Sequence, residues 1–189
     1  SGLDAAFVHQ DSHRTPMHVS AILVYDATEQ QLELSQLREL LRDRLWHEPL
    51  FRHKLQRVTF DVDTPYWIPA GNTQWRYHLI EHQLPPGQTW ESFHQWLQEH
   101  HSRRMDLTQP LWQLSLIRGL EDVPGLPGRC QALVLKAHHA AIDGISLARL
   151  LRGLHDSSNE EQPAPAPTPA QPKSWEVWSR ANLNNISRQ

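Results

Sequence analysis

The run His138-His139-Ala140-Ala141-Ile142-Asp143-Gly144 brings two imidazoles, a carboxylate and a glycine together in one short stretch. A neutral imidazole near pH 7 can take a proton from an alcohol or amine as that group attacks a thioester. A nearby carboxylate can orient the imidazole, or can pair with an arginine and hold the turn. No GxSxG elbow is present, and Cys130 lies outside the run, so a covalent acyl-enzyme is disfavoured.

Plainer readings stand beside this one. The chain has 13 His, so a His-His pair arises readily by chance. Two His and an Asp can also ligate a metal. Adjacent His on a strand diverge, however, and neither HExxH nor CxxC occurs, so no metal site is expected. His100-His101 has no partner motif and reads as partly buried or solvated surface.

The elements around the run explain how it would be held. Gln131 to Ala137 reads as a strand, so His138 and His139 point opposite ways and only one can face a given pocket. Asp143 falls at a tight turn into a helix from Ile145 to Leu154, with Gly144 at its entry, where a missing side chain permits close approach. Leu111 to Arg118 reads as a strand opened by Pro110, and the VPGLPGR loop after it predicts a hairpin with Gln131 to Ala137. Earlier, His18 to Tyr25 reads as a strand, and Tyr77 to Ile80 as a short one.

Leu34, Leu37, Leu41 and Leu45 form one apolar helix face ending near Trp46, and Pro49 prevents continuation. A second helix near 90 to 104 is expected, capped by Thr89, with Trp90, Phe93 and Leu97 on one face.

The composition narrows the function classes. The net charge is −3, and Lys plus Arg (18) do not outnumber Asp plus Glu (21), so no nucleic-acid partner is expected. The single Cys excludes an intrachain disulfide framework and fits a reducing cytosol. No apolar run approaches the roughly 20 residues of a membrane-spanning helix. The opening SGLDAAFVHQ lacks the pattern of a signal peptide. The eight Trp read mainly as packing residues, or alternatively as the lining of an apolar channel or a lipid interface.

Residues 1–158 read as one domain. Pro163, Pro165, Pro167, Pro169 and Pro172 make 159–173 a stiff linker, and 174–189, capped by Ser174, read as the start of a helix leading to a further domain.

HHAAIDG resembles the HHxxxDG motif of the chloramphenicol-acetyltransferase-like superfamily of CoA- and carrier-protein-dependent acyltransferases. The opening SGLDAAFVHQ, Pro16-Met17-His18-Val19, Pro49-Leu50-Phe51-Arg52 and Pro110-Leu111-Trp112 are similar to the bacterial wax ester synthase/acyl-CoA:diacylglycerol acyltransferases, over roughly residues 1 to 155. The resemblance implies an α/β fold, a two-layer sandwich with a mixed sheet flanked by helices, forming one half of a two-domain enzyme. It implies that long-chain acyl-CoA and a fatty alcohol or diacylglycerol meet at His139 in a central channel, giving wax esters or triacylglycerol without a cofactor.

By the same resemblance His139 is the general base and Gly144 leaves room for the reacting groups. His138 and Asp143 are largely structural, with Arg52 a candidate ion-pair partner of Asp143. Pro110, Leu111 and Trp112 are structural or channel-lining. The implied partners are the C-terminal half of the enzyme and a membrane or lipid-droplet surface, with a cytoplasmic location peripheral to the inner membrane or lipid inclusions. A carrier-protein-dependent condensation domain and a non-catalytic lipid-surface module remain as alternatives.

Overall fold

A computed structural model describes residues 2–57, 65–87, 90–121, 123–126 and 128–155, with side chains from residue 5 onward. The expected linker over 159–173, the helix start over 174–189 and the Thr89 cap lie outside the described residues.

The hairpin expected from the VPGLPGR loop forms the centre of the molecule. β5 (Trp112–Leu120) and β6 (Cys130–His138) pair antiparallel. β1 (His18–Asp26) adds antiparallel to the far side of β6, with His18 opposite His138. β4 (Leu79–Gln83) adds parallel to β5, giving a mixed sheet of order β1-β6-β5-β4. Every residue of β6 is buried, as expected for a central strand covered on both faces.

Strand alternation sorts the two faces. Leu114, Leu116, Leu133, Leu135 and Ala137 pack under α2 (Leu34–Leu40), a π-helical turn (Leu41–Leu45) and α6 (Gly144–His155). Ile117, Ala132 and Val134 meet Phe93 of α5 (Trp90–Ser102) on the opposite face. Each of the leucines buried here contributes about 1.5–3 kcal/mol from removing its side chain from water. Gly153 lets α6 approach closely, because a Cβ there would lie 2.7 Å from Leu45 Cδ2.

The remaining elements are short. α1 (Gly2–Gln10) precedes β1, and α3 (Pro49–Arg52) leads into a two-stranded ribbon of β2 (His53–Gln56) and β3 (Tyr66–Pro69). Pro49 ends one helix and opens the next, where its missing N–H has no intrahelical role.

Two expectations change. The helix from Leu34 to Trp46 widens into the π turn at Leu41, which keeps both Leu41 and Leu45 buried. The short strand expected over Tyr77 to Ile80 is instead a helical turn, α4 (Trp75–His78), followed by β4. Tertiary contact decides this point: the turn stacks the His78 ring on Trp112 at 4.4 Å and sets His78 Nδ1 2.8 Å from the Trp112 carbonyl.

Candidate active site

β6 ends at His138, and the chain turns immediately after it. His138 is fully buried on the α5 face, whereas His139 is exposed. The alternation expected from the sequence thus separates the two imidazoles. Both backbones are pinned: His138 N–H donates to Leu111 O at 3.1 Å, and His139 N–H donates to Met17 O at 2.8 Å. Ala140 N–H donates to His138 Nδ1 at 3.1 Å, and Ala141 N–H closes the turn onto His138 O at 2.9 Å. Acceptance at Nδ1 leaves the neutral His138 ring with its proton on Nε2.

The ring of His139 stacks on Phe7 of α1, with centroids 4.4 Å apart and planes 17° from parallel. Between α1 and β1 lies the buried Asp11, whose Oδ1 accepts Met17 N–H at 3.0 Å. Its Oδ2 accepts Arg104 Nε and Nη2 at 2.9 and 2.7 Å. Burial alone would raise the Asp11 carboxyl, but the Met17 and Arg104 hydrogen bonds and the Arg104 charge hold it below its ordinary value.

Asp143 is exposed, and its Oδ1 accepts Ser146 N–H at 2.7 Å, capping α6. That hydrogen bond, with the Arg149 charge a smaller contributor, holds its carboxyl below the usual value. Arg149 adds a favourable charge to Asp143 while itself pairing with Glu48 Oε2 at 3.0 Å, and Arg52 is buried in α3. A Cβ at Gly144 would meet nothing within 4 Å, so the space beside the turn is open. Pro110, Leu111 and Trp112 are all buried, and Leu111 supplies the carbonyl that anchors His138.

Behind the turn, the α5 face is polar. The rings of His18 and His138 meet edge-on at 5.8 Å, and Lys136 Nζ donates to His100 O at 2.7 Å and to Arg103 O. Burial and then the Lys136 charge push His18 and His100 down to about 4. Burial likewise lowers His138, and burial with the Arg103 charge brings Lys136 to about 8. At neutral pH these buried imidazoles are uncharged. Among the described residues, no group of three or more His, Cys, Asp or Glu is placed to hold a metal.

A cavity of about 460 Å³ adjoins the turn, lined by Pro49, Leu50, His53, Trp67, Ala140 and Ala141. Of the tryptophans, Trp67 borders this cavity, whereas Trp112 is core and Trp46 stacks on Trp75 at 5.0 Å. An exposed imidazole with a fixed backbone, one residue from the cavity lining, can accept a proton from an attacking hydroxyl.

Sequence reasoning assigned no role to Phe7, Asp11 or Arg104. Their signal was weak, because an isolated Asp and a distant Arg reveal a pairing only in three dimensions. No helix among the described residues is long and apolar enough to cross a membrane.

A family model described as the wax ester synthase/diacylglycerol acyltransferase catalytic domain matches residues 1–189. A probable diacylglycerol O-acyltransferase of Mycobacterium tuberculosis is 30% identical over 146 residues, covering 77% of this chain and 52% of the relative. A putative diacylglycerol O-acyltransferase of the same organism is 31% identical over 170 residues, covering 86% of this chain and 35% of the relative. The chain thus spans about half or less of the length of these relatives.

Among solved structures, the wax ester synthase/diacylglycerol acyltransferase from Marinobacter aquaeolei VT8 superposes with a TM-score of 0.67 at 22% identity. It covers 100% of this chain and 45% of that one. The starter condensation domain of the rhizomide synthetase RzmA follows the same fold, with a TM-score of 0.61 at 16% identity over 82% of this chain and 36% of that one. Helices on both faces of a mixed sheet, the His turn at the end of its central strand and a match along the whole chain lead to one conclusion. The chain belongs to the wax ester synthase/diacylglycerol acyltransferase catalytic domain family.

Proposed function

We propose that this chain carries the general base of an O-acyltransferase, His139, which transfers a long acyl chain from acyl-CoA to a fatty alcohol or a diacylglycerol. The observation that carries the reading is the exposed His139 ring on an anchored backbone, at a turn whose next two residues, Ala140 and Ala141, line a cavity. The hydroxyl gives its proton to the imidazole as its oxygen bonds to the thioester carbon. The tetrahedral intermediate collapses, the C–S bond breaks, and the CoA thiolate recovers the proton from the imidazolium. No bond to the protein forms, and no cofactor is needed.

His138 stays buried and neutral in this scheme, fixing the turn, while Asp143 caps α6. The cavity beside Ala140 and Ala141 receives the hydrocarbon of one substrate. Because the relatives are longer than this chain, we assign the remaining channel wall and the oxyanion donor to a C-terminal half of the same enzyme. The acceptor is drawn from a membrane or lipid-inclusion surface on the cytoplasmic side.

The test is His139→Ala in the protein as it occurs, assayed for thiol release from palmitoyl-CoA with hexadecanol or dioleoylglycerol. Positioned base catalysis is worth about 10²–10⁴-fold, and a loss of that size with unchanged circular dichroism is expected. Near-normal ester formation would overturn the assignment.

A further inference from the structure

The ring and the backbone of His139 are held by separate elements that meet at one residue. The ring lies on Phe7 of α1, and the backbone N–H is bound by Met17 O just before β1. Asp11 sits between these supports and touches both. Its N–H donates to Phe7 O at 3.1 Å, which ends α1 against it, and its Oδ1 accepts Met17 N–H. Arg104, just beyond α5, grips Asp11 with two donors on Oδ2, and Nη2 also donates to the Asp11 carbonyl at 3.1 Å.

The Asp11 side chain is fully buried while Arg104 stays partly exposed, and the two donors on one carboxylate oxygen make the contact directional. Ser12 and Thr15 bond to each other through both backbones, at 3.2 Å each way, and through their hydroxyls, at 2.9 Å. That tightens the loop from Asp11 to Met17. The motif's own carboxylate, Asp143, points away to cap α6 and does none of this.

We propose that Asp11 and Arg104 are a positioning pair for His139, fixing its backbone through Met17 and its ring plane through Phe7. The proposal rests on the reading of His139 as base, and deepens it. An imidazole free to tilt would spend less time aimed at the hydroxyl, and misplacement by about 1 Å can cost about 10²-fold in rate. Substrate contacts made elsewhere would be unchanged, so the loss falls on kcat.

The experiment uses the protein as it occurs, labelled with ¹³C at histidine Cε1, with the His139 signal identified by its loss in His139→Gln. In Phe7→Leu the loss of ring current should move the His139 signal downfield. In Asp11→Asn and Arg104→Met the signal should move the same way as the platform loosens. Over the same series kcat should fall about 10- to 100-fold, with KM for palmitoyl-CoA changed less than about twofold. Phe7→Tyr keeps a ring in place and should restore both readouts, and Arg104→Lys should restore part of them.

Phe7 is only half-buried, so Phe7→Leu keeps the test alive if the Asp11 variant does not fold. A signal that stays in place in Phe7→Leu would overturn the proposal, as would a shifted signal with unchanged kcat. If His139→Gln itself remained active, the base assignment would fail, while the shifts would still report whether the pair orients the ring.

Discussion

The imidazoles of His18 and His138 face each other edge-on across β1 and β6, with ring centroids 5.8 Å apart and planes at 68°. Register makes them direct partners in the sheet, and His18 Nδ1 lies 3.3 Å from the His101 carbonyl at the end of α5. With Lys136 and His100 they form a buried, basic layer directly behind the exposed His139.

That layer makes stability depend on pH. Burial holds His18 and His100 at about 4 when folded, against 6.5 when exposed, and lowers His138 and His78 as well. Below pH 6.5 the unfolded chain therefore binds protons that the folded chain refuses, and stability falls from about pH 6.5 toward 4. For His18 and for His100 the fully developed shift amounts to on the order of 3 kcal/mol each. The lowered Asp11 carboxyl adds a loss only in stronger acid, below its unfolded value of 3.8. Thermal unfolding between pH 8 and 4.5 should show a falling midpoint, and His18→Gln should flatten the slope. A midpoint independent of pH over this range would contradict the account.

Asp143→Ala should remove the α6 cap and cost about 1 kcal/mol, or about 2–4 °C in melting temperature. Asp143→Asn keeps a capping oxygen and should lose little. Differential scanning calorimetry checks both. A stable Asp143→Ala protein without activity would instead place Asp143 in the chemistry.

Gly119 has φ +74 at the register shift between Ile117 and Leu120, and a Cβ there would collide with Gln83 Nε2 and lie 3.0 Å from Leu84 O. Gly119→Ala should therefore cost about 1–3 kcal/mol, measured by urea unfolding. Adding Gln83→Ala relieves the side-chain collision and should recover only part of the loss, because the backbone strain remains.

Ala141→Phe reaches into the cavity next to the His turn. If a substrate hydrocarbon lies there, kcat/KM should shift toward shorter chains, read from decanol against hexadecanol and decanoyl-CoA against palmitoyl-CoA. An unchanged ratio in both series would place the hydrocarbon elsewhere.

Trp112 is fully buried, with His78 stacked on one side and Phe51 edge-on at 4.9 Å. Trp112→Ala should cost about 3–5 kcal/mol by opening a cavity in the core. Chemical denaturation reads that loss directly.

Local pattern carried much of this protein into view. Short β-rich apolar runs marked β1, β5 and β6, a loop of Pro and Gly marked the β5–β6 hairpin, and leucines at steps of three and four marked α2. The run His138 to Gly144 marked the site, and strand alternation already required its two imidazoles to part. These signals are legible because each arises from residues within a few positions of one another.

What needed the tertiary structure involves partners far apart in the chain. Asp11 meets Arg104 across 93 positions, and His78 abandons a strand for a helical turn because Trp112 lies beneath it. Side-chain pairing depends on which elements pack together, and only the folded chain, with its core closed, settles that.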